Sequence, residues 1–346
     1  MAGFTQEDIK LAKEVQDKYG VPASLTLSQY AYESGHGTSA LAKNKHNYFG
    51  MRNGSSGWQK FSSKRESFMA YGKLLSSDLY ASKTKNAKNV KEYIKSWAES
   101  YKKDLTENIM PFWMKYGLDR ENGGVYTCVD RDGSLMDTTK SVWFQGRFAF
   151  ICSFAYNNVE KNQEWLDAAK STLEFIEKHC FDEQGHMYFS VTAEGKPLRK
   201  RRYVFSETFA AIAMSEYALA TGDQHWAKRA IQVFEDTQRF LATPGFLPAK
   251  FEADVKLQGH SIVMILINVG SCIRKVVDDP KLTQQIDESI EKLKKYFIHP
   301  EFKCLLETVG ENGEFIDTNM TRTINPGHCI ETSWFIMEEA KLRGWD

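Results

Sequence analysis

The string in this 346-residue chain that most suggests chemistry runs Leu25-Thr-Leu-Ser-Gln-Tyr-Ala-Tyr-Glu33-Ser-Gly-His-Gly-Thr-Ser-Ala-Leu-Ala42, followed by Asn47-Tyr-Phe-Gly-Met-Arg52. It ends an apolar helix on one carboxylate, Glu33, beside a glycine-rich turn. A carboxyl partly withdrawn from water at such a place has its pKa raised and can protonate a glycosidic oxygen, while bare glycine backbone leaves room for a sugar ring. This chemistry usually needs a second carboxylate, and no acidic residue lies between Met51 and Arg65. Glu66 is the nearest candidate, with capping of the following helix as its competing role; Asp78 reads as a solvated helix residue.

A second set of polar residues lies in the remainder of the chain. Arg147 closes Lys140-Ser-Val-Trp-Phe-Gln-Gly-Arg147, His260 stands in Gly259-His-Ser, and His328 and Glu331 stand in Arg322-Thr-Ile-Asn-Pro-Gly-His-Cys-Ile-Glu331. A spacing of three puts His328 and Glu331 on one helix face. Asn325-Pro326 signals the helix start, so His328 falls in the first turn, where the positive end of the helix dipole favours neutral imidazole and Glu331 can fix its tautomer. A neutral, oriented histidine is a good base near pH 7. The plainer alternative is a local hydrogen bond for His328 and helix support from Glu331. With no His-Glu-x-x-His string or Cys/His cluster, His-x-x-Glu alone is insufficient for zinc.

These residues need elements to hold them, and composition divides the elements in two. Lys+Arg and Asp+Glu both total 45, yet residues 1–100 hold 15 basic against 9 acidic side chains and the remainder 30 against 36. The scattered lysines of the first segment suit an anionic cell-wall polymer at least as well as nucleic acid. All six cysteines lie beyond residue 100 without a Cys-x-x-Cys pair, which reads as buried free thiols in a reducing compartment. No apolar run spans a bilayer and the amino terminus lacks a signal-peptide pattern, so a cytoplasmic location is expected for the chain as written.

Periodicity predicts helices over 7–19, 23–34, 67–79 and 90–101, with a short hairpin across 49–61 at Asn53-Gly54. Beyond residue 101 it predicts eight long helices, over 105–116, 143–157, 164–179, 206–221, 224–240, 261–277, 284–297 and 329–342. Small hairpins over 124–133 and 185–195 interrupt them. Helix pairs stacked in sequence need neighbours to bury both faces, so an α/α toroid or solenoid is the natural architecture.

Glu33-Ser-Gly-His-Gly-Thr-Ser-Ala-Leu-Ala42 with Asn47-Tyr-Phe-Gly50, Phe61-Ser-Ser, Glu66-Ser-Phe-Met-Ala-Tyr71 and Trp97-Ala-Glu-Ser-Tyr101 resembles glycoside hydrolase family 73, the peptidoglycan-cleaving N-acetylglucosaminidases. The resemblance covers residues 5–101. It implies a lysozyme-like α+β fold, makes Glu33 the general acid and places Tyr101 near the cleft. A family member is expected to continue past Tyr101 through a final helix, which the sequence does not show.

Pro111-Phe-Trp, Asp119-Arg-Glu-Asn-Gly-Gly-Val-Tyr, Asp130-Arg-Asp-Gly133, Trp143-Phe-Gln-Gly-Arg147 and Asn325-Pro-Gly-His-Cys-Ile-Glu-Thr-Ser-Trp334 resemble the N-acylglucosamine 2-epimerase family, which includes the renin-binding proteins. That likeness covers 101–346 and implies an (α/α)6 barrel that interconverts N-acetylglucosamine and N-acetylmannosamine. By carry-over His328 is an acid/base, Glu331 its partner, Arg147 a stabiliser of the enolate oxygen, and His260 and Lys140 lesser pocket residues. The family's second catalytic histidine lies in a carboxyl-terminal segment with no counterpart before Asp346, and eight helices stand where twelve would close the barrel.

The expected fold is therefore mainly α: a small α+β lysozyme-like module over 1–100, then an incomplete (α/α)6 barrel over 101–346. The expected function joins a peptidoglycan N-acetylglucosaminidase-like module to an amino-sugar 2-epimerase-like module of low or absent epimerase activity. The alternatives are a non-catalytic chimeric or truncated chain and an interaction protein of the renin-binding type. Expected partners are peptidoglycan or chitooligosaccharide and N-acetylglucosamine or N-acetylmannosamine, with neither nucleic acid nor membrane, and a homodimer is one way to close the barrel. No cofactor or metal is required; a nucleotide effector is an option that some epimerase relatives use. Release to the cell wall would bring the first module to its polymer.

Overall fold

The structure is a computed structural model and describes residues 3–54, 57–77, 90–200, 203–247 and 255–345. It divides into two compact units, Met1–Pro111 and Phe112–Asp346. The change of unit thus falls about ten residues beyond the compositional break.

The first unit holds α1 (Gln6–Tyr19), α2 (Ala23–Ser34), α3 (Ala40–Lys45), α4 (Lys64–Leu75) and α5 (Val90–Asp104). Thr5 opens α1 with a capping box: its hydroxyl accepts from the Asp8 amide while the Asp8 carboxylate accepts from the Thr5 amide. The same carboxylate pairs with Lys64, tying the start of α4 to α1. Leu11, Val15, Tyr30, Phe49, Phe68 and Tyr71 form one core cluster. Gly72 lets α4 lie close on α1, since a Cβ there would stand 2.6 Å from Tyr19 and 2.8 Å from Val15. The expected hairpin across 49–61 is reduced to one antiparallel bridge, Arg52 to Trp58, and no strand forms among this unit's described residues. The helix predicted at 67–79 starts three residues earlier, and Asp78 lies outside the described residues. The expected stop at Tyr101 is corrected: α5 runs to Asp104 and continues through a π turn, Leu105–Ile109, into α6 (Met110–Tyr116).

In the second unit the helices alternate between two layers. α7 (Val142–Asn158), α9 (Phe205–Thr221), α11 (His260–Ile273) and α13 (Pro326–Arg343) form a row in which each packs on the next; α8 (Gln163–His179), α10 (Gln224–Ala242) and α12 (Pro280–Tyr296) cover α7, α9 and α11 from outside. Sequence pattern explains the layers. Every residue of α9 from Ser206 to Ala218 is buried, which only a helix covered on both faces needs, whereas α8 buries a stripe of Trp165, Leu166, Ala169, Leu173 and Ile176. Gly146 brings α7 and α9 nearly backbone to backbone, a Cβ there standing 2.7 Å from the Phe209 carbonyl carbon.

The short strands all lie in the connections that lead into the row α7–α13. They are β1 (Cys128–Val129) with β2 (Leu135–Asp137), β3 (Lys140–Ser141) with β4 (Ser190–Val191) and β5 (Pro197–Arg199), β6 (Leu257–Gly259), and β7 (Ile298–His299), β8 (Cys304–Leu305) and β9 (Thr308–Gly310). The hairpins predicted over 124–133 and 185–195 are displaced: the paired strands span 128–137 and 190–199. Because these connections all precede row helices, the amino ends of those helices share one rim with the strands. The cysteines are all free; Cys152, Cys180 and Cys272 are buried and Cys128 is exposed. Among the described residues no helix is long and apolar enough to cross a membrane.

Candidate functional site

In the first unit the end of α2 is built around Glu33. Gly35 terminates the helix in the left-handed region with φ 55°. Ser34 donates to the Tyr30 carbonyl and accepts from the Gly37 amide at 2.8 Å, folding the turn back onto the helix. Buried Asn47 holds the facing segment: its amide donates to the Met51 and Gln59 carbonyls at 2.7 and 2.9 Å and its oxygen accepts from the Met51 amide at 2.9 Å. That clamp places Gly50, at φ 61°, against Glu33; a Cβ there would lie 3.0 Å from Glu33 Oε2 and 3.9 Å from the Trp58 ring. A carboxylate, a bare backbone and an exposed indole under the Arg52 guanidinium thus line one spot.

Three residues read as site members lie exposed in this unit. Glu33 is exposed, not partly desolvated. Glu66 accepts from the Ser62 amide and hydroxyl, each at 2.6 Å, and those bonds hold its carboxyl below the usual range, which fits its competing role at the helix start. Tyr101 is exposed on α5, its ring centroid 5.6 Å from that of Trp97. Tyr71 is the tyrosine that feels Glu33: burial raises its pKa, and Tyr93 and Glu33 add to the rise.

In the second unit three connections converge on a histidine pair. β6 pairs antiparallel with β9, and the ladder continues one step as the His260 amide donates to the Glu307 carbonyl at 2.9 Å. This sets residue 260, the first of α11, beside residue 307. Asn325 caps α13 by accepting from the His328 amide at 3.3 Å, and the Cys329 thiol contacts the Leu305 carbonyl at 3.7 Å, which brings the α13 start to the same point. His328 Nδ1 then lies 2.9 and 3.0 Å from the two Glu307 oxygens. His260, fully buried, donates from Nε2 to Thr332 Oγ1 at 2.8 Å and turns Nδ1 toward Glu307 Oε2 at 3.5 Å. Burial alone would raise the Glu307 carboxyl, but the two histidines outweigh it and hold it below the usual range.

The helix start and the place of His328 in the first turn are as read from Asn325-Pro326, but the partner of its Nδ1 is Glu307. Glu331 is exposed and acts on Arg147 instead. The Arg147 guanidinium lies 4.2 Å from the Phe209 ring centroid; lost hydration lowers its pKa and Glu331 partly offsets the loss. Glu307 carried no motif. The signal open to sequence reading was one acid in a mostly apolar stretch, Cys304-Leu-Leu-Glu-Thr-Val309, which joins β8 to β9.

Lys140 leaves the pocket assignment. It is fully buried and gives its three donors to Asp119 Oδ2 at 2.7 Å, the Gly123 carbonyl at 2.7 Å and the Ala193 carbonyl at 2.8 Å, with none left for a sugar. Among the described residues His260, Glu307 and His328 are the group whose donor atoms gather within 4.8 Å.

A helical unit with alternating layers and a histidine–carboxylate cluster at the rim of the inner helix ends is of the (α/α)6-barrel class, and the solved structures it resembles include sugar epimerases. The chain belongs to the N-acylglucosamine 2-epimerase family, whose profile matches residues 124–344. A second profile, described as mannosyl-glycoprotein endo-beta-N-acetylglucosaminidase, matches residues 9–117, so a glucosaminidase domain precedes it and extends past Tyr101. The N-acylglucosamine 2-epimerase of Rattus norvegicus is 26% identical over 264 residues, covering 73% of this chain and 62% of its own length. The cellobiose 2-epimerase of Ruminococcus albus is 35% identical over 263 residues, covering 70% and 65%. The chain thus spans less than two thirds of the length of these relatives. Among solved structures, a sugar epimerase from a ruminal bacterium superposes with TM-score 0.58 at 25% identity, covering 71% of this chain and 66% of that one. Cellobiose 2-epimerase from Bacillus thermoamylovorans has TM-score 0.64 at 22% identity, covering 72% and 68%.

Proposed function

We propose that the chain is a two-module amino-sugar enzyme. Its first unit cleaves β-N-acetylglucosaminyl linkages in a polymer such as peptidoglycan or chitooligosaccharide, with Glu33 as general acid. Its second unit moves the C2 proton of an N-acylated hexosamine, N-acetylmannosamine or N-acetylglucosamine, with His328 as the acid/base. The observation that carries the second reading is the bond from His328 Nδ1 to Glu307, which leaves Nε2 as a free base on a half-buried ring.

The chemistry follows from the open-chain aldehyde. His328 Nε2 takes the C2 proton, the C–H electron pair becomes the C1–C2 double bond, and charge moves to the carbonyl oxygen, where Arg147 offsets it. Return of a hydrogen from Nε2 to the same face regenerates the starting sugar, with C2 exchanged wherever Nε2 has traded its proton with solvent. Inversion needs a donor on the opposite face, and His260 is too buried to touch a substrate. Exchange at C2 therefore outruns epimerisation.

The test is incubation of N-acetylmannosamine with the full chain in deuterated water, followed by proton NMR. Loss of the H2 signal that disappears in His328→Ala supports the reading; a retained H2 signal in the unsubstituted protein ends it. Turbidity loss of peptidoglycan, abolished in Glu33→Gln, tests the first unit independently.

A further inference from the structure

We infer that Glu307 is the positioning residue of the proton-transfer site, fixing His328 as the Nδ1–H tautomer, with the buried His260–Thr332 pair holding the arrangement from behind. The inference deepens the reading of His328 as the group that moves the proton. It follows from assigning each hydrogen in turn.

Thr332 is the place to begin. Its hydroxyl stands 2.8 Å from the His328 carbonyl four residues earlier and donates there, because a carbonyl only accepts. Its lone pair is then what faces His260 Nε2 at 2.8 Å, so that nitrogen carries a hydrogen. Thr332 has 2% exposure and His260 none, so water does not compete for these bonds. His260 is locked to α13 one turn below His328, with its ring centroid 6.2 Å from that of His328 and its other nitrogen toward Glu307.

Glu307 is held twice, through its own backbone carbonyl by the His260 amide and through its side chain by His328 Nδ1. A carboxylate accepts and cannot donate, so the contact from His328 at 2.9 and 3.0 Å requires hydrogen on Nδ1. In neutral imidazole the lone pair is then on Nε2, the atom the proposed reaction needs. Glu331, the carboxylate that spacing had suggested, makes no such bond among the described residues. When Nε2 accepts the C2 proton, the positive charge develops against an ionised carboxylate already in place, with no reorganisation. No proton passes to Glu307; the proton moves from C2 to Nε2, exchanges there with solvent on the half-exposed ring, and a solvent-derived hydrogen returns to C2.

The experiment reads the tautomer directly. Two-bond proton–nitrogen correlation spectra of the full chain, labelled with nitrogen-15 in histidine and assigned by the signal missing in His328→Gln, should show neutral His328 with hydrogen on Nδ1. Glu307→Gln should give a mixed or Nε2–H population and lower kcat for H2 exchange about 100-fold, with KM little changed, as expected when an orienting carboxylate is lost. Glu307→Asp keeps the charge and should restore part of both signals. Hydrogen on Nε2 in the unsubstituted protein overturns the inference whether or not any variant folds. An unchanged tautomer and kcat in Glu307→Gln overturns it as well. If the tautomer is as stated but no H2 exchange occurs, the positioning stands and the epimerase-type reaction falls.

Discussion

Replacing Lys140 by methionine separates a structural role from a sugar-binding one. The substitution keeps volume but removes three short donor contacts, to Asp119, Gly123 and Ala193, which tie together two rim connections and the start of β3. It also leaves Asp119, 3% exposed, as a carboxylate without its counter-charge. Burial alone would raise Asp119, yet bonds from Lys140 and Asn122 hold it at about 2, while burial pushes Lys140 below its ordinary value against the pull of Asp119. Desolvation thus weighs on both partners, and breaking such a pair from one side costs ~3–5 kcal/mol. In a unit of this size that is a Tm loss of roughly 10 °C or more by calorimetry of the full chain. Adding Asp119→Asn should recover part of the loss, because the orphaned charge goes with it. A Lys140→Met protein with unchanged Tm and a raised KM for N-acetylmannosamine would refute the clamp and return Lys140 to the pocket.

Three further outcomes follow. Asp119 titrates at about 2 when folded against 3.8 as its ordinary value, so its stabilisation is complete above about pH 4 and disappears as pH falls toward 2; acid unfolding of Asp119→Asn should lack that component. Gly50→Ala should reduce peptidoglycan turnover while the unit stays folded, because alanine at φ 61° is strained by ~1 kcal/mol and its methyl would meet Glu33 at 3.0 Å; unchanged turnover would show that this spot does not receive the sugar. Chelator treatment should leave H2 exchange unaltered, and a loss reversed by added zinc would replace the hydrogen-bonded cluster with a metal-bridged one.

The helices were legible because their pattern reports one physical demand, a buried face. Apolar periodicity announced the stacked pairs, whereas the inner place of 206–218 shows only in its burial on every side and the outer place of 224–242 in its buried stripe. Caps were equally readable: Asn325 does what an asparagine before proline at a helix start should do. Pairings across long separations were not. His260 and Glu307 meet because β6 finds β9 about fifty residues away, and no local spacing encodes that register. The error over Glu331 has the same origin, since helical spacing sees only neighbours on one element, and the better-placed carboxylate arrived on another. Lys140 misled because a lysine in a string that resembles a family motif is equally suited to a pocket and to a buried clamp, and only its three filled donors decide.

The helix α13 carries its buried contacts on a single stripe, Thr332, Phe335 and Glu339, and anchors the far end through Glu339 to Ser271 and Arg274. Each residue turns a helix by about 100° and advances it ~1.5 Å. The aim of His328 is therefore a matter of rotational phase measured from that anchor. One residue added or deleted between Thr332 and Glu339 would leave every site side chain in the chain and point the imidazole at the wrong wall. Exchanges of side chain along the exposed face, by contrast, keep the count and so keep the aim.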